Sequence, residues 1–140
     1  MTKSIFVHSQ EVFLKYRTHF DAAHRLENYN GKCSNLHGHR WNVEFVFVGD
    51  MKDSVNGILI DFSEIKDMVE SILPDHAYLN EVFQVMDPTA EYLAVALYKQ
   101  IYRKLIDFLV TKGIDGVGIY SVEVYETDKA SVMVKNVYPL

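Results

Sequence analysis

One cysteine, Cys33, has no partner within the chain, so an internal disulfide framework is excluded and nothing argues for secretion. Long apolar runs are also missing. The run that includes Leu93 to Tyr98 is far short of a span, and the opening MTKSIFVHSQ has no apolar h-region, so neither a membrane span nor a signal peptide is expected. A cytoplasmic location follows as the default expectation. Basic residues are in deficit, 14 Lys and Arg against 19 Asp and Glu, and the net charge of −5 argues against non-specific nucleic-acid binding. It leaves room for a small anionic substrate, because a bound metal and a few local cations can dominate a pocket's field. Prolines number only three, and there is no Pro/Ser-rich linker, internal repeat or low-complexity tract. What is present, 49% hydrophobic and 24% charged residues in 140, is the balance of one globular domain spanning residues 1–140.

Two stretches alternate with period two. Val12, Leu14, Tyr16, Thr18, Phe20 and Ala22 would share one face of a strand. His37, His39, Trp41, Val43, Phe45 and Phe47 would share a face of a second, which Gly49-Asp50 closes, and Gly57 to Ile60 could pair with it. Two helices should follow. Asp61 and Glu64 resemble a capping box ahead of the stripe Phe62, Ile65, Met68, Val69 and Ile72. Pro88 suits an early helical position before the stripe Ala90, Leu93, Ala94, Leu97, Ile101, Leu105 and Phe108. Val117 to Glu126 and Ser131 to Tyr138 alternate again and read as a hairpin. The order ββααββ predicts an α+β fold, a four-stranded antiparallel sheet with two helices on one face. Its two open edges point to oligomerisation.

Residues two apart on a strand project from one face, so His37 and His39 can offer two imidazoles to one ion, and His24 can supply a third. Imidazoles that continue an apolar stripe into Trp41 and Val43 need their nitrogens satisfied, and a zinc ion does that. Cys33, four residues before His37, fits three roles: a small buried side chain, a reactive thiolate, or a fourth zinc ligand. Asp75 could orient His76 as catalytic dyads require, or the two could form a solvated turn. Glu126 continues the face of Tyr120, Val122 and Val124. A carboxylate there wants a partner, either a ligand with two N–H donors or an ion pair.

Taken together, several segments resemble a known family. They are Phe20-Asp21-Ala22-Ala23-His24-Arg25-Leu26, Cys33 through His37-Gly38-His39, and Gly57 through Asp61-Phe62. Asp75-His76 with Leu79-Asn80, Pro88-Thr89 with Glu91 and Leu93-Ala94, and Glu126-Thr127 complete the series. In this order they resemble the 6-pyruvoyltetrahydropterin synthase superfamily, most of all its bacterial branch, the 6-carboxy-5,6,7,8-tetrahydropterin synthases of queuosine biosynthesis. The short spacing from Cys33 to His37 and His39 carries that branch assignment. Pro74 stands where the family usually has leucine, and Asp87 where asparagine is common.

The resemblance implies a tunnelling fold whose subunits join edge to edge into a homo-oligomer, a hexamer, with active sites at subunit interfaces. It implies Zn2+ on His24, His37 and His39, Cys33 as the catalytic proton acceptor, and Asp75 with His76 as a proton-transferring dyad. Glu126 would anchor the pterin. The expected activity is a zinc-dependent lyase reaction converting 7,8-dihydroneopterin triphosphate to 6-carboxy-5,6,7,8-tetrahydropterin, acetaldehyde and triphosphate. The alternatives are 6-pyruvoyltetrahydropterin formation with the side chain retained, and a non-catalytic zinc- or pterin-binding protein. Arg25, Lys32 and Arg40 are candidate triphosphate contacts, or simply surface charges.

Overall fold

The period-two stretches become two long strands. In the computed structural model, which describes residues 9–135, β1 (Glu11–His24) and β2 (His37–Asp50) pair antiparallel along their whole length. The register runs from Glu11 opposite Asp50 to His24 opposite His37. The chain continues through α1 (Phe62–Glu70), β3 (Ala77–Tyr78), α2 (Leu79–Phe83), α3 (Ala90–Lys112), β4 (Val117–Thr127) and β5 (Ala130–Lys135). The strand order across the sheet is β3-β1-β2-β4-β5. The alternating run after Ser131 is described only to Lys135, and its remainder to Tyr138 lies outside the described residues.

The four long strands are antiparallel as expected, but the sheet has a fifth strand and is mixed. β3 runs parallel to β1, with Ala22 opposite Ala77 and Ala23 opposite Tyr78. Two residues are too few to show a period, which is why it escapes a reading by alternation. A third helix, α2, is equally short. Gly57 to Ile60 forms no strand. Asn56 (φ 53°) and Gly57 (φ 80°) make a two-residue turn closed by paired backbone bonds between Val55 and Ile58 at 2.9 and 3.0 Å. Both central residues have positive φ, the signature of the tight turns that Asn-Gly favours.

Side chains on one sheet face form the core. Phe20, Trp41, Phe45, Phe47, Val122 and Val124 are buried there with Leu93, Leu97, Ile101 and Leu105 of α3. Each fully buried Leu contributes roughly 1.5–3 kcal/mol relative to exposure. The opposite face presents Lys15, Arg17, His19, Arg40 and Asn42 to solvent.

Helix caps differ in detail from expectation. Asp61 caps α1 by accepting from the backbone N of Ser63 at 2.8 Å, while the Glu64 side chain pairs with Lys112 at 3.7 Å, so no reciprocal capping box forms. Phe62 stays exposed, leaving Ile65, Met68 and Val69 as the buried stripe of α1. In α3, Thr89 is the N-cap, accepting from the backbone N of Tyr92 at 3.1 Å. Pro88 therefore precedes the cap rather than opening the helix, and its carbonyl is free to serve the site. Gly113 ends α3 at φ 68°, a left-handed conformation that glycine adopts without a Cβ penalty.

Candidate metal centre and active site

The hairpin register builds the centre. His24 ends β1 and His37 begins β2, so antiparallel pairing sets them directly opposite each other, and His39 lies two residues further along the same face. That face is the core side, continuing Phe20 and Ala22 on β1 and Trp41 and Val43 on β2. Ring centroids lie 4.6 Å apart for His24 and His37, 5.1 Å for His24 and His39, and 4.8 Å for His37 and His39. One nitrogen from each ring falls within 4.8 Å of the others. Trp41 floors the cluster, edge-on to His24 at 5.0 Å and to His39 at 5.1 Å. Its indole Nε1 donates to the Ala22 carbonyl at 3.2 Å, which holds the ring in place.

Hydrogen bonds determine where the lone pairs point. His24 Nδ1 lies 2.9 Å from the Pro88 carbonyl, and His37 Nδ1 lies 2.6 Å from the Asn35 carbonyl. A carbonyl only accepts, so each Nδ1 carries its ring's proton and each Nε2 its lone pair. Those two Nε2 atoms face each other at 3.0 Å. His39 Nε2 is buried with no hydrogen-bond partner among the described residues. Burial pushes the pKa values of His24 and His39 below the ordinary histidine range, against the Pro88 hydrogen bond at His24 and the pull of the Glu126 carboxylate at His39, and so favours neutral rings at both. A proton between His24 and His37 would leave His39 unanswered. One cation satisfies all three, and three imidazole nitrogens are a donor set that fits a divalent transition metal.

Glu126 stands beside the centre, its Oε1 3.9 Å from His39 Nε2 and its side chain one-third exposed, at 34%. The sequence pattern placed Tyr120 on the same face, and the structure corrects this. Phe47 pairs with Ile119 and Val46 with Ser121, so Tyr120 is the extra residue of a bulge. It turns outward against Phe13, ring centroids 4.9 Å apart. Val117 and Ile119 before the bulge and Val122 and Val124 after it face the core.

Cys33 sits in a short 3-10 turn (Lys32–Ser34) of the β1–β2 loop and is half-buried. Its carbonyl accepts from Leu26 N at 2.8 Å. The thiol is not one of the ligand atoms gathered at the centre, which consists of the three histidines. Asp75 and His76 pair with each other, Nδ1 donating to Asp75 Oδ2 at 2.9 Å. They dock on β1 through one residue: His76 N donates to the Asp21 carbonyl at 2.7 Å, and Asp21 N donates to Asp75 Oδ1 at 2.9 Å. The second bond and the His76 contact hold the Asp75 carboxyl below its usual range. These anchors also stabilise His76 in a left-handed conformation (φ 56°) unusual for a residue with a side chain. The pair is exposed, and His76 borders a shallow depression shared with Ala23, Gly38, His39 and Arg40. Gly38 is not sterically obligatory within this chain, since a Cβ there would meet only the Ala22 carbonyl at 3.9 Å. Arg40 is engaged by Asp21 through two bonds of 2.9 and 3.0 Å, while Arg25 and Lys32 are exposed.

Reading by residue type missed the Pro88 and Asn35 carbonyls, which orient two of the imidazoles, because backbone acceptors carry no sequence signature. It also passed over the structural role of Trp41, whose place in the apolar stripe was the only available signal.

Fold and site define an α+β protein with a three-imidazole centre suited to a divalent metal. Solved structures with the same fold include the Caenorhabditis elegans 6-pyruvoyl tetrahydropterin synthase, at TM-score 0.74 and 23% identity over 98% of this chain and 100% of that one. The Plasmodium falciparum 6-pyruvoyl tetrahydropterin synthase is similar at TM-score 0.70 and 18% identity, covering 90% of this chain and 98% of that one. Residues 13–136 match the family described as 6-pyruvoyl tetrahydropterin synthase, and the chain belongs to this family of enzymes. Among curated proteins, a 6-carboxy-5,6,7,8-tetrahydropterin synthase of Rickettsia conorii is 31% identical over 84% of this chain and 96% of its own length. The likeness to the enzyme of that name from Haemophilus influenzae is local, 42% over 48 residues, about a third of each chain (33% and 34%). Among the described residues no helix is long and apolar enough to cross a membrane.

Proposed function

We propose that this protein is a zinc-dependent lyase that converts 7,8-dihydroneopterin triphosphate to 6-carboxy-5,6,7,8-tetrahydropterin, with release of acetaldehyde and triphosphate. The observation that carries the metal half of this reading is the convergence of three imidazoles, with the Nε2 atoms of His24 and His37 facing each other and the buried Nε2 of His39 without a hydrogen-bond partner among the described residues. The product half is supported by the curated relatives, which bear the name of that activity. His24, His37 and His39 would hold the zinc, which when bound would supply Lewis acidity to the substrate's side-chain hydroxyls.

The chain's own residues have separate tasks. His24 and His37 would hold the ion with rings locked by the Pro88 and Asn35 carbonyls, and His39 would complete the set. Glu126, an acceptor at the rim, binds the amino and ring N–H groups of the pterin and so orients the side chain toward the centre. Cys33 takes a proton as thiolate. Asp75 accepts a hydrogen bond from His76 Nδ1 and leaves Nε2 as the atom that exchanges protons with the substrate. In a homo-oligomer, a hexamer with sites between subunits, an exposed dyad on the edge of one sheet can serve the centre of a neighbour. Among the described residues β1 is paired on that edge only at Ala22 and Ala23, and its remaining edge is where such a neighbour would join. The setting proposed is the cytoplasm and the queuosine precursor pathway.

The test is to incubate purified, zinc-loaded protein with dihydroneopterin triphosphate and identify every product by mass. A carboxylated tetrahydropterin with acetaldehyde and triphosphate is expected. Retention of the three-carbon side chain would replace this reading with 6-pyruvoyltetrahydropterin formation, and no triphosphate release would reduce the protein to a binder.

A further inference from the structure

Asn80 is buried, 8% exposed, at the start of α2, and its side-chain amide makes three bonds to backbone groups. Its Oδ1 accepts from Arg25 N at 3.0 Å, and its Nδ2 donates to the Arg25 carbonyl at 2.9 Å and the Met86 carbonyl at 3.0 Å. Arg25 is the residue directly after His24. Met86 lies two residues before Pro88, whose carbonyl fixes His24 Nδ1. These links close a ring: His24, Arg25, the Asn80 amide, Met86, Pro88 and back to the His24 imidazole. A second tie runs alongside at the surface, where Asn28 donates to Asp87 from its backbone at 3.0 Å and its side chain at 2.8 Å.

We infer that Asn80 is a positioning residue for the metal centre, holding the Pro88 carbonyl where it fixes the tautomer and orientation of His24. The inference rests on the reading of the three histidines as a metal site. Its physical basis is that a ligating imidazole is aimed by the acceptor on its other nitrogen. That acceptor belongs to a loop with no regular structure between α2 and α3. Without the buried amide, the described ties from this loop to the chain after β1 are the Asn28 bonds to Asp87 and to the Met86 sulfur, at 3.5 Å, and the bond from Glu27 N to the Met86 carbonyl at 3.2 Å, all set further from His24 than Arg25 is. His37 has its own acceptor in Asn35 and does not depend on Asn80.

The experiment compares wild type with Asn80→Ala in two measurements. On metal-free protein, long-range proton–nitrogen NMR reads the tautomers of the imidazoles. Loss of the single Nδ1–H form of His24, with His37 unchanged, is expected. On the same proteins, Zn2+ affinity is measured by competition with a chelator, and a fall of roughly 10–100-fold is expected, the range for loss of a group that orients a ligand. Asn80→Ser, which keeps a small polar group unable to bridge Arg25 and Met86, carries both measurements if the alanine variant does not fold. A variant with lowered melting temperature but an unaltered His24 tautomer and unaltered Zn2+ affinity would show Asn80 to be merely structural and overturn the inference. Failure of wild type itself to bind Zn2+ would instead sink the metal reading, and the tautomer result would still decide what Asn80 does.

Discussion

Replacing His39 with leucine should separate what the imidazole costs the fold from what it does for the metal. His39 Nε2 is buried without a hydrogen-bond partner among the described residues, and its side chain is 20% exposed against the Trp41 ring. Leaving such a group unsatisfied costs about 1–3 kcal/mol. Leucine keeps apolar contact with Trp41 and removes the orphaned atom. Metal-free His39→Leu should therefore be as stable as wild type, or more stable by up to about 2 kcal/mol on that account. The metal-loaded comparison should reverse. Free zinc at 100 times its dissociation constant adds about 2.7 kcal/mol to the native state of wild type. At about 2–4 °C per kcal/mol for a domain of this size, melting should rise by roughly 5–11 °C. The variant, with two of three ligands, should lose nearly all of that rise. Thermal melts of chelator-stripped protein with and without added Zn2+ read both quantities. His24→Leu supplies the contrast, because it strands the Pro88 carbonyl and should destabilise the metal-free protein by about 1–3 kcal/mol. A full zinc-dependent rise in His39→Leu, or a metal-free loss as large as that of His24→Leu, would refute the reasoning.

Cys33→Ala should abolish turnover and leave zinc content near that of wild type, measured by metal analysis. Loss of the metal in this variant would restore the fourth-ligand role for the thiol. Tyr16 offers a test by pH: burial and donation to Glu70 Oε2 at 2.8 Å push its pKa up to about 12. The folded state thus holds a proton that the unfolded chain releases near pH 10, so the stability Tyr16 contributes is complete below about pH 10 and is lost as pH rises to about 12. Denaturant unfolding of wild type and Tyr16→Phe should show a stability difference that shrinks across that window, and a constant difference would refute the assignment.

Alternation along Val12 to Ala22 and His37 to Phe47 was legible because a half-buried strand obeys a strict period of two, and the same rule brought His24, His37 and His39 to one face. The helix stripes were legible too, with Leu93, Leu97, Ile101 and Leu105 all buried as their spacing requires. What escaped had no period to display. β3 is two residues long and exists because Asp21 offers both its backbone groups to the Asp75-His76 segment. The Asn56-Gly57 turn left Gly57 to Ile60 too short to be a strand. The acceptors for His24 and His37 are main-chain carbonyls, available from any residue and selected only by how the loops fold. Phe62 fits a helical stripe by spacing and still points to solvent, because α1 rotates to bury Ile65, Met68 and Val69.

Strand β4 shows how an interruption of the period serves the site. A one-residue slip moves every later side chain to the opposite face, so a perfect alternation from Val117 onward would put Ile119 and Tyr125 on the core side and Val122, Val124 and Glu126 outside. The bulge at Tyr120 absorbs that residue, and both halves of the strand then bury their apolar side chains. A second irregularity falls between Tyr125, opposite Ser131, and Thr127, opposite Ala130, which leaves Glu126 without a ladder partner on β5. On β2 the ladder has already ended, at Asn42 opposite Tyr125. The first bulge therefore determines which face the carboxylate occupies. The second releases its backbone from the ladder, so that Oε1 comes to 3.9 Å from His39 Nε2. Bulges re-aim side chains beside active sites, and here the apolar core and the carboxylate depend on the same inserted residue.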